Sequence, residues 1–307
     1  MTTSATTWAI RVPASSANLG AGFDVLGMAL SLHAEVGIGP PPSGAIAADR
    51  HHPATVAFRR LGGEGLVWVR SPIPVGRGLG FSGAIRVGGA AAAIVQRLGG
   101  AGLDSADTCE QILDVAAELE GHADNAAASL HGGIVVVADG RATSVPLAFD
   151  PAVVVWIPTD TTTSTDRSRA SLPSMVARED AVFNLGRVGM FVAACARGDA
   201  GALRMATEDR LHQATRLAVV PETAKALRAG LEADVWAAWL SGSGPTVAML
   251  CESSRADDVA AALPATGHTK SLRIDHEGAV AIGLGPDGAN DEAGDGTGTG
   301  TDAAPVD

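Results

Sequence analysis

The sequence predicts an α+β fold made of two subdomains. Stretches with strand-like apolar alternation and stretches with helical character alternate along both halves of the chain. The length of 307 residues exceeds the roughly 100–200 residues of a typical domain. Apolar residues make up 46% of the chain, which is enough to build a sizeable core and argues against general disorder.

The N-terminal half predicts four strands and three helices. The strands are Ala9–Pro13, Val25–Ile38, Leu66–Ile73 and Gly132–Ala138, and the helices are Thr55–Leu61, Gly83–Leu98 and Asp107–Glu120. In the third strand Leu66, Trp68 and Arg70 alternate until prolines end the run. The Ala-rich helix contains Gly88 and Gly89, each costing about 1 kcal/mol against alanine. We therefore expect another backbone to pass close to these two glycines.

The C-terminal half predicts four more strands and four more helices around a polar loop, 159–171. The strands are Ala152–Ile157, Val235–Leu240, Thr246–Cys251 and His268–Ile274, and the helices are Arg178–Arg197, Ala200–Arg210, Pro221–Gly230 and Arg255–Leu263. From about residue 285 the chain is rich in Gly, Asp and Thr and predicts a disordered acidic tail. The expected divisions are 1–150, 151–285 and a tail of 286–307.

Composition excludes several classes of function. The net charge of −12 leaves no basic surface for a nucleic acid, and no apolar run approaches the roughly 20 residues of a membrane helix. Three widely spaced cysteines predict neither a disulfide framework nor a zinc site and suit a cytoplasmic protein. Neither Lys225 nor Lys270 follows a glycine, so a lysine-containing P-loop is also excluded.

The Gly-rich segment Pro74–Ala84 is the strongest local motif. Gly76, Gly78 and Gly80 follow a predicted strand and precede a predicted helix. Backbone N–H groups in such a loop can converge on an anion, to which the helix also points its positive end. A triphosphate can be held in this way without lysine. On spacing alone, an ordinary Gly-rich turn with Ser82 as helix cap is an equal alternative.

Three other segments combine polar side chains with turn residues. Residues 12–24 form a Ser/Asn/Gly-rich turn after the first strand, residues 118–125 join carboxylates to an imidazole and an amide, and residues 241–246 form a second Gly-rich turn. Taken singly, each is more typical of local structure than of a site.

Together with the loop, these segments resemble the GHMP small-molecule kinases, most closely the branch that phosphorylates homoserine. The region Thr165–Arg169 and the region Asp209–Arg216 resemble two further motifs of that family. The six matches occur in order over about residues 10–250. The resemblance implies a ribosomal protein S5 domain 2-like N-terminal subdomain and a ferredoxin-like C-terminal subdomain.

The resemblance also implies ATP and Mg²⁺ as cofactors. The nucleotide would contact Pro74, Gly76, Arg77, Gly78, Leu79, Gly80, Phe81, Ser82, Gly83 and Ala84. Ser82 would bind the metal together with a carboxylate from the helix before His122. Glu118 matches that carboxylate better, and Glu120 is the alternative.

The expected substrate is homoserine, a zwitterion with a hydroxyl group. By resemblance Asp24 takes its ammonium, with Asn18 and His122 nearby, and Arg169 and Arg216 take its carboxylate. Asn125 would orient the hydroxyl. Asn125 and Arg169 are the two residues that the resemblance implies are catalytic. An amide is a poor base, so positioning is expected to matter more than deprotonation. Asp124 is expected to hold the turn, and His212 to be structural.

The chain departs from the family pattern at a few positions. Phe81 replaces a serine of the loop, Gly83 an alanine and Ala21 a proline, and residues 52–56 lack an asparagine that commonly touches adenine. GTP therefore stays an alternative to ATP. Two other functions remain open: a kinase for another small hydroxylated substrate, and a non-catalytic sensor of a metabolite or nucleotide. No nucleic-acid or membrane partner is expected, whereas a homodimer is possible for this family.

Overall fold

The computed structural model describes residues 7–284 and contains two antiparallel sheets with helices packed on them. The predicted tail, 286–307, lies outside the described residues. Between Thr7 and Leu284 no helix combines the length and apolarity needed to span a bilayer. The α+β class predicted from the sequence is confirmed.

Eleven strands form the two sheets. They are β1 (Thr7–Ala17), β2 (Leu26–Ile38), β3 (Ile46–Ala48), β4 (Val67–Arg70), β5 (Ile134–Ala138), β6 (Arg141–Val145), β7 (Ala152–Pro158), β8 (Ala237–Leu240), β9 (Val247–Cys251), β10 (Gly267–Leu272) and β11 (Val280–Leu284). β3, β6 and β11 were not predicted from the sequence. β3 and β6 are short and largely solvent-facing, so they lack the continuous apolar pattern that marks a buried strand. β11 is a short, partly buried strand at the edge of its sheet.

Ten α-helices are described. They are α1 (Pro53–Arg60), α2 (Phe81–Leu98), α3 (Ala106–Glu120), α4 (Asp124–His131), α5 (Thr165–Ala170), α6 (Arg178–Arg197), α7 (Ala200–Ala206), α8 (Gln213–Leu217), α9 (Pro221–Glu232) and α10 (Ala256–Ala261). The bounds of α6 agree with the prediction. α7 ends earlier than predicted, and the short helices α4, α5 and α8 were missed.

The first sheet has the order β11-β1-β2-β4-β3, with β5 and β6 continuing from β2. Helices α2 and α4 pack on β1 and β2. A Cβ atom on Gly89 would lie 2.1 Å from the carbonyl oxygen of Ala54 in α1, and one on Gly88 would lie 2.6 Å from Cγ2 of Val36. The expected approach of another backbone is therefore confirmed at Gly89, whereas at Gly88 the close neighbours are valine side chains; a Cβ would clash at either position.

Strand β1 changes register against β2 between Pro13 and Ala14. Proline has no N–H for a ladder bond, so a bulge at this point is a suitable place for it inside a strand. The residues after the bulge lead into a turn in which Asn18 and Leu19 have positive φ angles. This bend directs the end of β1 to the edge where the site forms.

The second sheet has the order β10-β7-β9-β8, and α9 and α10 pack against it. Trp239 on β8 is fully buried and donates to the hydroxyl of Ser16 at 3.0 Å, which joins the two sheets. We propose a subdomain boundary near residue 150, because β7 opens the second sheet. Within the proposed 151–285 unit, however, β11 returns to the first sheet and pairs with β1.

Candidate active site

Most of the motif residues meet in one cleft between the two sheets. Its volume is about 160 Å³. The lining comes from the glycine loop, the end of β1, the start of α4, α5, and the turn between β8 and β9. Segments that are up to about 225 residues apart in sequence are thereby brought to one place.

The glycine loop leads directly into helix α2. Gly76, Gly78 and Gly80 all have positive φ angles, and Gly80 precedes the helix without any side chain capping it. The first N–H groups of a helix have no partner within the helix, and the helix dipole adds positive potential there. The glycine loop followed by a helix N-terminus has the geometry that suits an anion, and its binding of phosphate stays a prediction.

Two turns, one from each sheet, are packed together at this loop. A Cβ on Gly78 would lie 2.4 Å from the carbonyl oxygen of Ser241 and 2.8 Å from that of Gly244. The hydroxyl of Ser241 donates to the carbonyl of Gly78 at 2.6 Å. The turn of residues 241–246 therefore packs against the glycine loop and holds it in place.

Two members of the predicted nucleotide set differ from expectation. The guanidinium of Arg77 donates to the backbone carbonyls of Pro158 and Thr159, so its side chain ties the loop to β7. Ala84 is fully buried in the core and is not part of the cleft lining. Arg77 and the other eight predicted residues, which are Pro74, Gly76 and those from Gly78 to Gly83, line the cleft.

The start of α4 presents His122, Asp124 and Asn125 to the cleft. Nδ1 of His122 lies 2.8 Å from the Asp124 carboxylate, which also accepts from the N–H of Asn125 at 2.7 Å. Burial opposes a charge on His122, but the hydrogen bond and charge of Asp124 outweigh it and raise the pKa of His122. Ser15 donates to Oδ1 of Asn125 at 2.9 Å and so orients the amide.

Asp24 and Arg169 form a bidentate ion pair. The Nη1 to Oδ2 distance is 2.8 Å, and Nη2 bonds the other carboxylate oxygen. The hydrogen bond to Asp24 raises the pKa of Arg169. Asp24 has a φ angle of +60°, and its N–H donates to Oδ1 of Asn18 at 3.1 Å. Asn18 therefore acts as a support for Asp24.

Arg216 is a second, more buried cation beside this pair. Its Nη1 lies 3.0 Å from Nδ1 of His212 and 3.2 Å from the carbonyl of Gly242. Burial, with the nearby charge of Arg169, lowers the pKa of Arg216 to about 10, which leaves it charged at neutral pH. Within residues 7–284, Nε of Arg169 and Nε of Arg216 are buried without hydrogen-bond partners. Two guanidinium groups therefore keep donors for an anion.

His212 positions Arg216. Burial lowers the pKa of His212, so the ring is neutral at pH 7. Nδ1 then accepts from Arg216, and Nε2 carries the proton and donates to the carbonyl of Gly20 at 2.8 Å. The structural role expected for His212 agrees with these contacts.

Asp209 holds the segment that carries both residues. Its carboxylate is fully buried and accepts from the N–H groups of Leu211, His212 and Gln213 and from the side chain of Asn184. Burial opposes the charge, but His212 and these donors outweigh it and lower the pKa of Asp209 below 3.8. The carboxylate thus satisfies the open end of α8.

We expect Asp209→Asn to lower the free energy of unfolding by about 2 kcal/mol at pH 7, because an amide nitrogen then faces N–H donors. A carboxyl whose pKa is depressed on folding stabilises above its unfolded pKa and loses that stabilisation as pH falls through its folded pKa. The difference from wild type should therefore shrink below pH 3.8. Urea unfolding of both proteins at neutral and acidic pH measures this difference in the free energy of unfolding.

The control for this variant is Asp180→Asn, at an exposed carboxylate 3.5 Å from Arg210. Such a surface pair contributes about 0–1 kcal/mol, so little change is expected at either pH. Equal destabilisation by both substitutions would contradict the role given to Asp209.

The structure separates the two glutamates considered for the metal. Glu118 is 60% exposed and pairs with Arg60, away from the cleft. Glu120 is 11% exposed and lines the cleft. The preference for Glu118 is therefore not supported by its placement, since residues two apart on a helix point to opposite faces.

Arg86 was not predicted from the sequence. One guanidinium nitrogen, Nη1, bonds both the hydroxyl of Ser82 and Oε1 of Glu120. Arg86 follows Ser82 by one helical turn, so the i, i+4 spacing within the glycine-loop helix was the available signal. Ser15, Phe23 and Thr163 were also missed; they lie at the cleft or orient its residues.

Comparisons with known proteins agree with this arrangement. The family model described as GHMP kinases N terminal domain matches residues 50–133, and the one described as GHMP kinases C terminal matches residues 191–269. The chain is 36% identical over 303 residues to a homoserine kinase of Desulfitobacterium hafniense, covering 89% of this chain and 99% of that protein. A homoserine kinase of Thermus thermophilus is 38% identical over 270 residues, with 83% and 90% covered.

Solved structures show the same fold. A homoserine kinase from Cytophaga hutchinsonii superposes with a TM-score of 0.77 at 24% identity, covering 92% of this chain and 99% of that one. A putative homoserine kinase from Listeria monocytogenes gives a TM-score of 0.73 at 27% identity, with 91% and 100% covered.

Proposed function

This chain belongs to the GHMP kinase family, and from that premise we propose that it transfers the γ-phosphoryl group of ATP to the side-chain hydroxyl of L-homoserine. The product is O-phospho-L-homoserine, on the route to threonine. One observation carries the substrate assignment: a carboxylate, two guanidinium groups and an amide converge beside the anion-binding loop.

The substrate end of the cleft suits an amino acid. Asp24 supplies an anion for the ammonium group, and Arg169 and Arg216 supply cations for the carboxylate. Guanidinium groups bind carboxylates through paired N–H donors, and each of these arginines retains a buried Nε without a partner in the described chain. Asp24 and Arg169 pair with each other, so the charge that an uncharged alcohol or sugar would leave unmatched is that of Arg216, whose hydrogen-bond partners in the described chain are neutral. The site therefore favours a zwitterion.

The nucleotide end holds the phosphates through backbone N–H groups of the loop and the start of α2. Oxygen donors fit Mg²⁺, and Ser82 and Glu120 provide a hydroxyl and a carboxylate at the cleft. We assign the metal to these two residues in place of Glu118. When bound, Mg²⁺ neutralises charge on the phosphate oxygens. No group of three or more His, Cys, Asp or Glu suited to a metal occurs within the described residues.

Asn125 is the residue placed to orient the hydroxyl of the substrate. A Cβ on Gly80 would lie 2.9 Å from its Oδ1, so the amide borders the phosphate loop. Asparagine cannot take a proton at neutral pH, so its contribution is alignment. A loose phosphoryl-transfer transition state requires little deprotonation of the acceptor, and alignment with charge stabilisation then lowers the barrier.

We propose a cytoplasmic setting, which suits the three free thiols Cys109, Cys195 and Cys251. The proposed partner is a small molecule. We also propose that the chain forms a homodimer, which sedimentation analysis tests.

An ADP-release assay tests the function. Homoserine, serine, threonine and mevalonate are each supplied with Mg-ATP and with Mg-GTP. We expect release to depend on homoserine, with kcat/KM at least about tenfold higher than for serine, whose hydroxyl lies one methylene closer to the charged groups. A preference for mevalonate would replace the substrate assignment. Nucleotide binding without ADP release from any acceptor would indicate a sensor.

A further inference from the structure

Arg86 places a positive charge between the two side chains assigned to the metal. Its Nη1 bonds the hydroxyl of Ser82 and Oε1 of Glu120 at the same time. The side chain of Arg86 is 19% exposed, and its Nε is buried without a partner among residues 7–284. The cleft is lined by Ser82 and Glu120, whereas Arg86 lies behind them on α2.

A guanidinium group at this position has two electrostatic consequences. It neutralises Glu120 and uses a lone pair of each oxygen that a divalent cation requires, which weakens the attraction of the protein for such a cation. It also adds a permanent positive charge to the N-terminal turn of α2, where the phosphates are expected to lie. A metal and Arg86 therefore compete for Glu120, whereas both attract the negatively charged polyphosphate.

We propose that Arg86 is a built-in cation of the phosphate site that lowers the affinity of the protein for divalent metal and supports binding of the nucleotide without metal. This inference rests on the proposed function only in taking a nucleoside triphosphate as the ligand. It assigns Arg86 as a positioning residue for Ser82 and Glu120.

Helix α3, which carries Glu120, also carries a glutamate in a second ion pair that can serve as a structural comparison. Arg60 and Glu118 also join neighbouring helices, α1 and α3, but their pair is exposed and lies outside the cleft. If Arg86 only connected α2 to α3, its loss would change stability without separating the two affinities. Arg60→Met is therefore the matched control.

The test is equilibrium binding, which needs no turnover. Calorimetry measures the affinity for ATP in excess EDTA, and electron paramagnetic resonance of Mn²⁺ measures the affinity for metal in the presence of ADP. Both are measured for the wild type and for Arg86→Met, Arg86→Lys and Arg60→Met. We expect Arg86→Met to bind metal-free ATP at least about tenfold more weakly and Mn²⁺ at least about tenfold more tightly, the effect of one charge-assisted hydrogen bond. Arg86→Lys keeps the charge and should fall between, and Arg60→Met should match wild type.

Opposite shifts in the two affinities support the inference. Parallel losses in both, or values equal to those of Arg60→Met, overturn it. If Arg86→Met does not fold, Arg86→Lys decides by the same two affinities, because it retains the charge but not the planar fork. A wild-type protein that binds neither ATP nor Mg-ATP would instead refute the proposed function itself.

Discussion

Replacing Arg169 by alanine is expected to raise the KM for homoserine by about 100-fold while changing the KM for ATP by less than about twofold. The substitution removes one carboxylate ligand and leaves Asp24 without its bidentate partner. Steady-state kinetics with each substrate varied in turn measures both constants.

Arg187→Ala is the control for this variant. Arg187 also forms an ion pair, with Glu208 at 3.0 Å, and is half-buried like Arg169, but it does not line the cleft. It should leave both KM values unchanged. An equal rise in the KM for ATP and for homoserine after Arg169→Ala would contradict the assignment of Arg169 to the substrate carboxylate.

Replacing Gly78 by alanine is expected to weaken nucleotide binding by about 100-fold, the size of effect that follows a misplacement of about 1 Å at a reacting group. The φ angle of Gly78 is +76°, and a Cβ there would lie 2.4 Å and 2.8 Å from two backbone carbonyl oxygens. Backbone of a cross-linked turn cannot rotate aside as a side chain can. The loop must therefore move, and its N–H groups no longer converge.

Gly62→Ala separates the effect of the clash from that of the backbone conformation. Gly62 has a φ angle of +79°, but nothing lies within 4 Å of a Cβ built on it. Only the left-handed conformation is then penalised, by roughly 1–2 kcal/mol of stability, with no change in nucleotide affinity. Calorimetric binding of Mg-ATP compares the variants. If Gly78→Ala bound nucleotide as tightly as Gly62→Ala, the packing of the two turns would be irrelevant to the site.

Long periodic segments were predictable from the sequence, whereas short elements were not. The bounds of α6 agree with its predicted range, because a twenty-residue helix provides several turns of pattern. α4 was missed because residues 118–125 were interpreted as a single polar helix end. In the structure Gly121 ends α3 with a φ angle of +79°, and α4 begins only three residues later. A single glycine predicts the end of a helix but does not indicate whether a new helix begins after it.

The sequence by itself determined the local chemistry of this protein. Spaced glycines before a helix predict a loop with positive φ angles that can bind an anion, since φ angles and the free N–H groups of a first turn are properties of neighbouring residues. Tertiary structure alone decided which side chains face that loop. Glu118 and Glu120 lie in the same last turn of α3, and Glu118 faces outward while Glu120 faces inward because packing on α2 selects one face of the helix. The contacts of Arg86 and of the Asp24–Arg169 pair arise in the same way, from distant segments whose juxtaposition no local pattern encodes.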